Sequence, residues 1–317
     1  MGAQMRGLFV NGSLLKKVGI DRVPSNQAEL LSDCVVLKAA GYIPFHGDPG
    51  PFAQHLLYPW ICNNIANADN YEEAYRLVNT RDTAATGLFR EIFEFLYSLV
   101  ENDYYNYYYS QKTLELCTDT SSEGLSRSFL NIAEAENGEF IKEEGVGKIA
   151  FLPNAISMVP TMDKTKADYH SDIEYVFIPA PVGPDGGYVY LSPADMIGIS
   201  KETEKAEWAV KFLNFLFTPE NNEVFAQKYS VIPNTADAFH YISGLYKVPT
   251  NQISELGQAT FDWSFYRTLT RSVKDEIMAL PAISKANAPD NLNPETNKIY
   301  PFEHFWTQFE KEFTGVQ

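Results

Sequence analysis

A chain of 317 residues, 45% hydrophobic and 14% aromatic, has material for a large core and for more than one domain. Its 41 acidic residues against 25 Lys plus Arg give a net charge of −16, which argues against a phosphate-backbone or anionic-lipid partner, since those need clustered cations. Cys34, Cys62 and Cys117 are widely spaced with no CxxC, so neither a disulfide framework nor a cysteine zinc site is expected.

The first apolar run, Gly7 to Val10, is too short for a secretory signal, and no window approaches the roughly 20 apolar residues of a membrane span. Leu8, Phe9 and Val10 read as a short strand that ends at the turn dipeptide Asn11-Gly12. A short helix over 13–18 stops at Gly19. Ser25 is a candidate cap for a helix running to Gly41, with Leu30, Cys34 and Leu37 on its apolar stripe. Residues 42–45 read as a strand, and 46–51 as a Gly/Pro turn. An aromatic helical stretch covers 52–65. A long helix is expected over 86–109, ending in a tyrosine run, and another over 121–136. Residues 145–151 lead into an apolar stretch, and 173–178 alternate as a strand does.

The most organised stretch is 187–233. A strand or strand pair over 188–199 precedes Ala206, Ala209, Val210, Leu213, Leu216 and Phe217, which recur at helical spacing as one apolar stripe. Thr218-Pro219-Glu220 restarts a helix with a hydroxyl cap, a proline that lacks only an orphan N–H, and an acid at the positive dipole end. Val224, Phe225 and Tyr229 give that helix an expected buried face. Beyond Pro233 the chain looks helical, with aromatic clusters around Trp263 and Trp306. Alternating strands and helices, with extra helix, give a mixed α/β class.

Chemistry-bearing motifs are scarce. No GxSxG, HExxH, Walker A or GxGxxG occurs, and no catalytic residue is assigned. His46, Asp48 and His55 match no common metal-ligand spacing, and Asp48 sits where a turn favours aspartate for local hydrogen bonds. No metal and no cofactor are expected. Aromatic rings close to acids, as at Asp48/Phe52, Asp262/Trp263 and Glu303/Trp306, suit a polyhydroxylated ligand: rings cover the apolar face of a sugar and carboxylates accept hydroxyl protons. Ordinary core packing explains the same rings.

Several segments, in order, resemble the extracellular solute-binding proteins of carbohydrate ABC importers, the maltose-binding-protein-like family 1. The first rests on Asn11, Leu14, Leu15, Gly19, Pro24, Glu29, Leu30, Leu37, Lys38, Gly41 and Pro44. The second rests on Gly147, Lys148, Ala150 and Phe151, although the family's sugar-contacting aromatic is replaced by Ala155-Ile156-Ser157. The third rests on Pro179, Pro181, Gly186, Gly187, Ser200, Lys201, Ala206, Ala209, Phe212, Leu213, Phe215, Leu216, Glu220, Ile232 and Pro233.

The resemblance implies an α/β fold of the periplasmic-binding-protein-like class II: two lobes joined by hinge crossings, helix-rich, with most of the first lobe missing from these residues. It implies a nearly complete second lobe over 1–190 plus 238–317, and a first-lobe remnant over 191–237 whose apolar helix face is left uncovered. The implied function is non-enzymatic binding of a sugar or oligosaccharide between lobes and delivery to the transmembrane permease subunits of an ABC importer. The complete protein would then be extracytoplasmic, in the periplasm or as a cell-surface lipoprotein. Expected ligand residues are Asp48, Phe52, Asn154, Ser157, Trp263 and Trp306. Two other readings stand beside it: a carbohydrate-active hydrolase with paired carboxylates, and an inactive truncated remnant.

Overall fold

A ten-residue strand, β1 (Gly2–Asn11), is hydrogen-bonded to four others and so holds the main sheet together. The computed structural model describes residues 2–47, 52, 55–66, 68–106, 121–183, 190–193, 197–229, 232–233, 283 and 285–315; for 2–4, 58, 62–63, 66, 71, 190–193, 227, 229 and 232–233 it describes backbone alone. The elements in order are β1, α1 (Gly12–Lys17), α2 (Gln27–Ala39), β2 (Ile43–Phe45), α3 (Tyr58–Ala66), α4 (Tyr71–Asn79), a 3-10 turn (Thr83–Leu88) and α5 (Arg90–Glu101). Then come α6 (Ser122–Phe129), β3 (Ile132–Glu134), β4 (Phe140–Lys142), β5 (Ile149–Ala155), α7 (Val159–Asp168), β6 (Tyr175–Ile178) and β7 (Tyr190–Pro193). The last are α8 (Ala206–Leu216), α9 (Pro219–Tyr229), β8 (Ile232–Pro233) and α10 (Phe302–Thr314).

The strand order β2-β5-β1-β6 is continuous, and β7 and β8 pair with the opening residues of β1. Strand β1 runs antiparallel to β5, β6, β7 and β8, whereas β2 and β5 are parallel. Register sorts the core into two faces, because opposed residues of paired strands point the same way. Val10 opposes Phe151, Leu8 opposes Ile178, and all four join the larger apolar cluster with α2, α3, α5 and α10. Phe9 opposes Leu152 and Phe177, and these join Met5, Phe129, Val159 and Met162 in a second cluster under α6 and α7. Helices therefore cover both faces, the arrangement expected of an α/β sheet that contains parallel pairs.

Asn11 shows how the sequence sets the join between β1 and α1. It is fully buried, its Oδ1 caps α1 by accepting from Leu14 N at 2.9 Å, and its Nδ2 donates to the carbonyls of Val146 (2.8 Å) and Ile149 (3.2 Å). One amide thus satisfies a helix start and a loop entering β5. Helix α2 begins one residue later than expected: Asn26, not Ser25, is its cap, accepting from Glu29 N, while Ser25 N and Oγ both donate to the Glu29 carboxylate.

Two long helices expected from the sequence are broken. The stretch expected over 86–109 is a 3-10 turn followed by α5, which stops at Glu101; Asp103 has φ 56°, and Tyr105 then bridges to Phe45 beside β2. The stretch over 121–136 ends at Phe129 because Asn131 adopts φ 61°, and Ile132 to Glu134 turn into a hairpin with β4. Tyr107, Tyr108 and Tyr109 lie outside the described residues. Cys34 is buried on α2, where apolar surroundings push its thiol pKa well up and leave it inert; Cys117 and the Cys62 side chain lie outside the description.

The 187–233 stretch holds a strand, Tyr190–Pro193, shorter than the 188–199 expected, followed by α8, α9 and β8, and Thr218 Oγ1 accepts from Asn221 N; residues 187–189, 194–196 and 230–231 lie outside the described residues. Its packing differs from that of a core helix. Helix α8 has no buried residue: Trp208 is 69% exposed, Phe212 58% and Phe215 59%. Val224 of α9 is also exposed, contrary to its expected place on a buried face, while Asn222 two residues earlier is fully buried. Among the described residues no helix is long and apolar enough to cross a membrane.

Candidate functional site

The sheet changes partners at Arg6. This residue opposes Ala155 of β5 and Tyr190 of β7, so it belongs to both pairings. Residues 7–11 of β1 pair with β5 and β6, and residues 2–5 with β7 and β8. The parallel strands β2 and β5 point their carboxyl ends toward this division, which in open α/β sheets is where ligands bind.

Gly7 makes the narrow spacing beside Arg6 possible: a Cβ there would lie 2.2 Å from the Ile178 carbonyl oxygen and 2.9 Å from the Phe177 ring. On the face shared with Leu8 and Val10, the Arg6 guanidinium donates from Nη1 to Nδ1 of His55 at 3.1 Å. Since arginine always donates, Nδ1 accepts and the proton of the neutral ring sits on Nε2. His55 is 8% exposed; burial first, and the Arg6 charge second, push its pKa down to about 3. His46 follows β2 one residue past the Phe45–Phe151 pair, and its N–H donates to Phe151 O at 3.1 Å. Its ring is 1% exposed, neither ring nitrogen has a partner among the described residues, and burial lowers its pKa to about 4.

The residues expected from the sequence fall into three groups. Asn154 and Ser157 come together at the carboxyl end of β5, both half-buried, with Asn154 Oδ1 accepting from Ala155 N at 2.8 Å. Asn154 opposes Gly7, so it points to the face away from Arg6. Phe52 is fully buried, stacked on Tyr105 with centroids 4.0 Å apart and edge-on to Phe45 at 5.6 Å. Trp306 is 4% exposed on α10, edge-on to Phe93, with the Arg90 guanidinium 5.1 Å over its ring. Both rings are buried, with Phe52 packed on Phe45 of β2 and on Tyr105, and Trp306 packing α10 against α5, so neither has a face open to a ligand here. Asp48 and Trp263 lie outside the described residues.

Among the described residues no group of three His, Cys, Asp or Glu side chains gathers as a metal site would require. The sequence reading missed Arg6, yet a signal was present: a lone charge inside the apolar run Met5-Arg6-Gly7-Leu8-Phe9-Val10 is costly unless it has a task.

No family model matches the sequence, and comparison with curated proteins gives no match. Solved structures do match. A putative binding protein, MsmE of Bacillus subtilis subsp. subtilis strain 168, solved in an open conformation, superposes with a TM-score of 0.68 at 14% identity, over 99% of this chain and 70% of that one. A family 1 extracellular solute-binding protein from Bifidobacterium longum subsp. infantis gives 0.61 at 17% identity, over 99% and 72%. The chain has the two-lobe solute-binding-protein fold. A sugar transporter protein from Bacillus licheniformis, solved with stachyose, gives 0.52 at 16% identity, over 100% and 72%.

Proposed function

We propose that this chain binds a sugar or oligosaccharide at the divided edge of its sheet and presents it to the permease subunits of an ABC importer, without catalysing a reaction. The observation that carries this reading is fold likeness over essentially the whole chain to binding proteins, one of them solved with a tetrasaccharide, stachyose. Hinge closure about β1 would bring the two sheet sections together around ligand. Asn154 and Ser157 are the polar groups of the expected set that lie partly open at this edge; Asp48 and Trp263 remain proposed contacts. Residues 1–190 with 238–317 form one lobe in this reading, and 191–237 belong to the other. The open apolar stripe on α8 supports that division, because a lobe's sheet is the ordinary cover for such a stripe. The working location is extracytoplasmic.

A thermal-shift and calorimetric screen of the chain against neutral and acidic oligosaccharides, peptides and polyamines tests the reading. Saturable stabilisation by at least one saccharide is expected. Stabilisation by peptides or polyamines with none by any saccharide would overturn it.

A further inference from the structure

We propose that the tip of the β3–β4 hairpin is a site of spontaneous covalent modification, at which Asn137 loses its side-chain amide nitrogen and becomes aspartate or isoaspartate. The inference stands apart from the sugar-binding reading and does not depend on it.

The reaction is intramolecular, so its rate is set by how freely two neighbouring groups can meet. Solvent base takes the proton of Gly138 N, and this nitrogen attacks Asn137 Cγ. The N–Cγ bond forms, the Cγ–Nδ2 bond breaks, and Nδ2 leaves as ammonia with a proton returned from water. Water then opens the cyclic imide at one carbonyl or the other, giving aspartate or an isoaspartyl link. No oxidant or reductant is needed. Glycine on the attacking side matters because no Cβ crowds its nitrogen.

The chain contains two Asn-Gly dipeptides, Asn11-Gly12 and Asn137-Gly138, which the sequence presents as equals. The structure separates them. Asn11 is fully buried, and its amide is held by Leu14 N, Val146 O and Ile149 O, so its Cγ cannot turn toward Gly12 N while the sheet is intact. Asn137 and Gly138 are both exposed, in a turn flanked by exposed Glu136 and Glu139. That turn is held by Ala135 N donating to Glu139 O at 2.7 Å and Gly138 N donating to Ala135 O at 2.8 Å, with Gly138 at φ 81°. The second of these bonds slows the attack, but it belongs to a two-stranded hairpin, and opening the tip uncovers none of the buried residues Ile132 and Ala133.

The product is a poorer turn. Asn137 Nδ2 donates to the Glu139 carboxylate at 2.9 Å, and Glu134 Oε1 lies 3.9 Å from the Cβ position of Gly138. Exchanging the amide for a carboxylate turns the first contact into repulsion and adds charge to an already acidic tip. An isoaspartyl link also inserts one main-chain carbon, which disturbs the register of β3 on β4.

The test is peptide mapping by mass spectrometry of the whole folded chain, aged at mildly alkaline pH, with the chain aged in urea as reference. In the folded chain, conversion at Asn137 is expected to be at least about a hundredfold faster than at Asn11, because Asn11 reacts only from opened molecules, a fraction of about one in a thousand or less. In urea both dipeptides are expected to react at similar rates. Asn137→Gln should remove the mass change from this peptide, and its melting curve shows that the fold is kept. Isoaspartyl methyltransferase should label aged wild type and leave aged Asn137→Gln unlabelled. An Asn137 that stays intact in the folded chain while the same peptide reacts in urea overturns the inference. So does an Asn11 that keeps pace with Asn137 in the folded chain.

Discussion

Gly7 of β1 and Ile178 of β6 approach so closely that no residue larger than glycine fits between them: an added Cβ would sit 2.2 Å from the Ile178 carbonyl oxygen. The clash is with backbone that is itself hydrogen-bonded into the sheet, so no side-chain rotation relieves it. Gly7→Ala must therefore push β6 away from β1 one residue from the point where the sheet divides. We expect a loss of about 1–3 kcal/mol, the usual range for overpacking, seen as a lower urea midpoint with an unchanged m-value. Wild-type stability in Gly7→Ala would show that β1 and β6 are not held this tightly.

Asn11 supplies a second, sharper test because its three hydrogen bonds divide between two jobs. Asn11→Asp keeps the Oδ1 cap on α1 and loses both donations to Val146 and Ile149; Asn11→Ala loses all three. Asn11→Ala should cost about 2–4 kcal/mol, combining a lost cap with buried carbonyls left unpaired. Asn11→Asp should also be damaging, since it places a carboxylate against two carbonyl oxygens. If Asn11→Asp were as stable as wild type at neutral pH, the donations to Val146 and Ile149 would carry no weight.

How much of this could be read from the sequence follows from how local each signal is. The 187–233 unit was legible because a helical stripe, a Thr-Pro-Glu restart and a Val-Ile-Pro end are all short-range chemistry. The helix break at Asn131 was not, because a positive φ at asparagine is settled by whether Ile132 to Glu134 find a strand partner in Phe140 to Lys142. Phe52 and Trp306 illustrate the limit at the site. An aromatic beside an acid reads the same whether its ring lines a cleft or locks a helix, and only the stacking on Tyr105 and the contact with Phe93 decide. Arg6 was overlooked for the opposite reason: one charge in an apolar strand is a weak pattern, and its partner His55 is 49 residues away.

Helix α8 allows a prediction with the opposite sign from those for β1. Phe212 and Phe215 are both more than half exposed, so Phe212→Ser with Phe215→Ser removes little buried area. We expect the unfolding free energy to change by no more than about 0.5 kcal/mol, as for surface positions generally. Binding of a hydrophobic dye such as anilinonaphthalene sulfonate should fall, because the two rings and Trp208 form most of one exposed apolar stripe. A fall in stability of several kcal/mol in the double variant would mean that these rings are packed in solution.

Acid should destabilise the chain through His46 and His55. Both are buried, and burial holds their folded pKa values down, to about 4 for His46 and about 3 for His55, against 6.5 for an ordinary histidine. Between 6.5 and these values the unfolded chain binds protons that the folded chain refuses. Stability is therefore greatest above about pH 6.5 and falls as pH drops through that window, by about 1.4 kcal/mol per pH unit for each histidine. The His46 contribution is exhausted near pH 4, and that of His55 continues to about 3. Urea unfolding at half-unit steps from pH 7.5 to 4.5 measures the slope. His46→Phe removes one titrating group along with two nitrogens that have no partner among the described residues, so its slope should be shallower than wild type by about 1.4 kcal/mol per unit between pH 6 and 4.5. Identical slopes in the two proteins would place the His46 ring in contact with water or with an acceptor, and would remove it from the buried edge of β2.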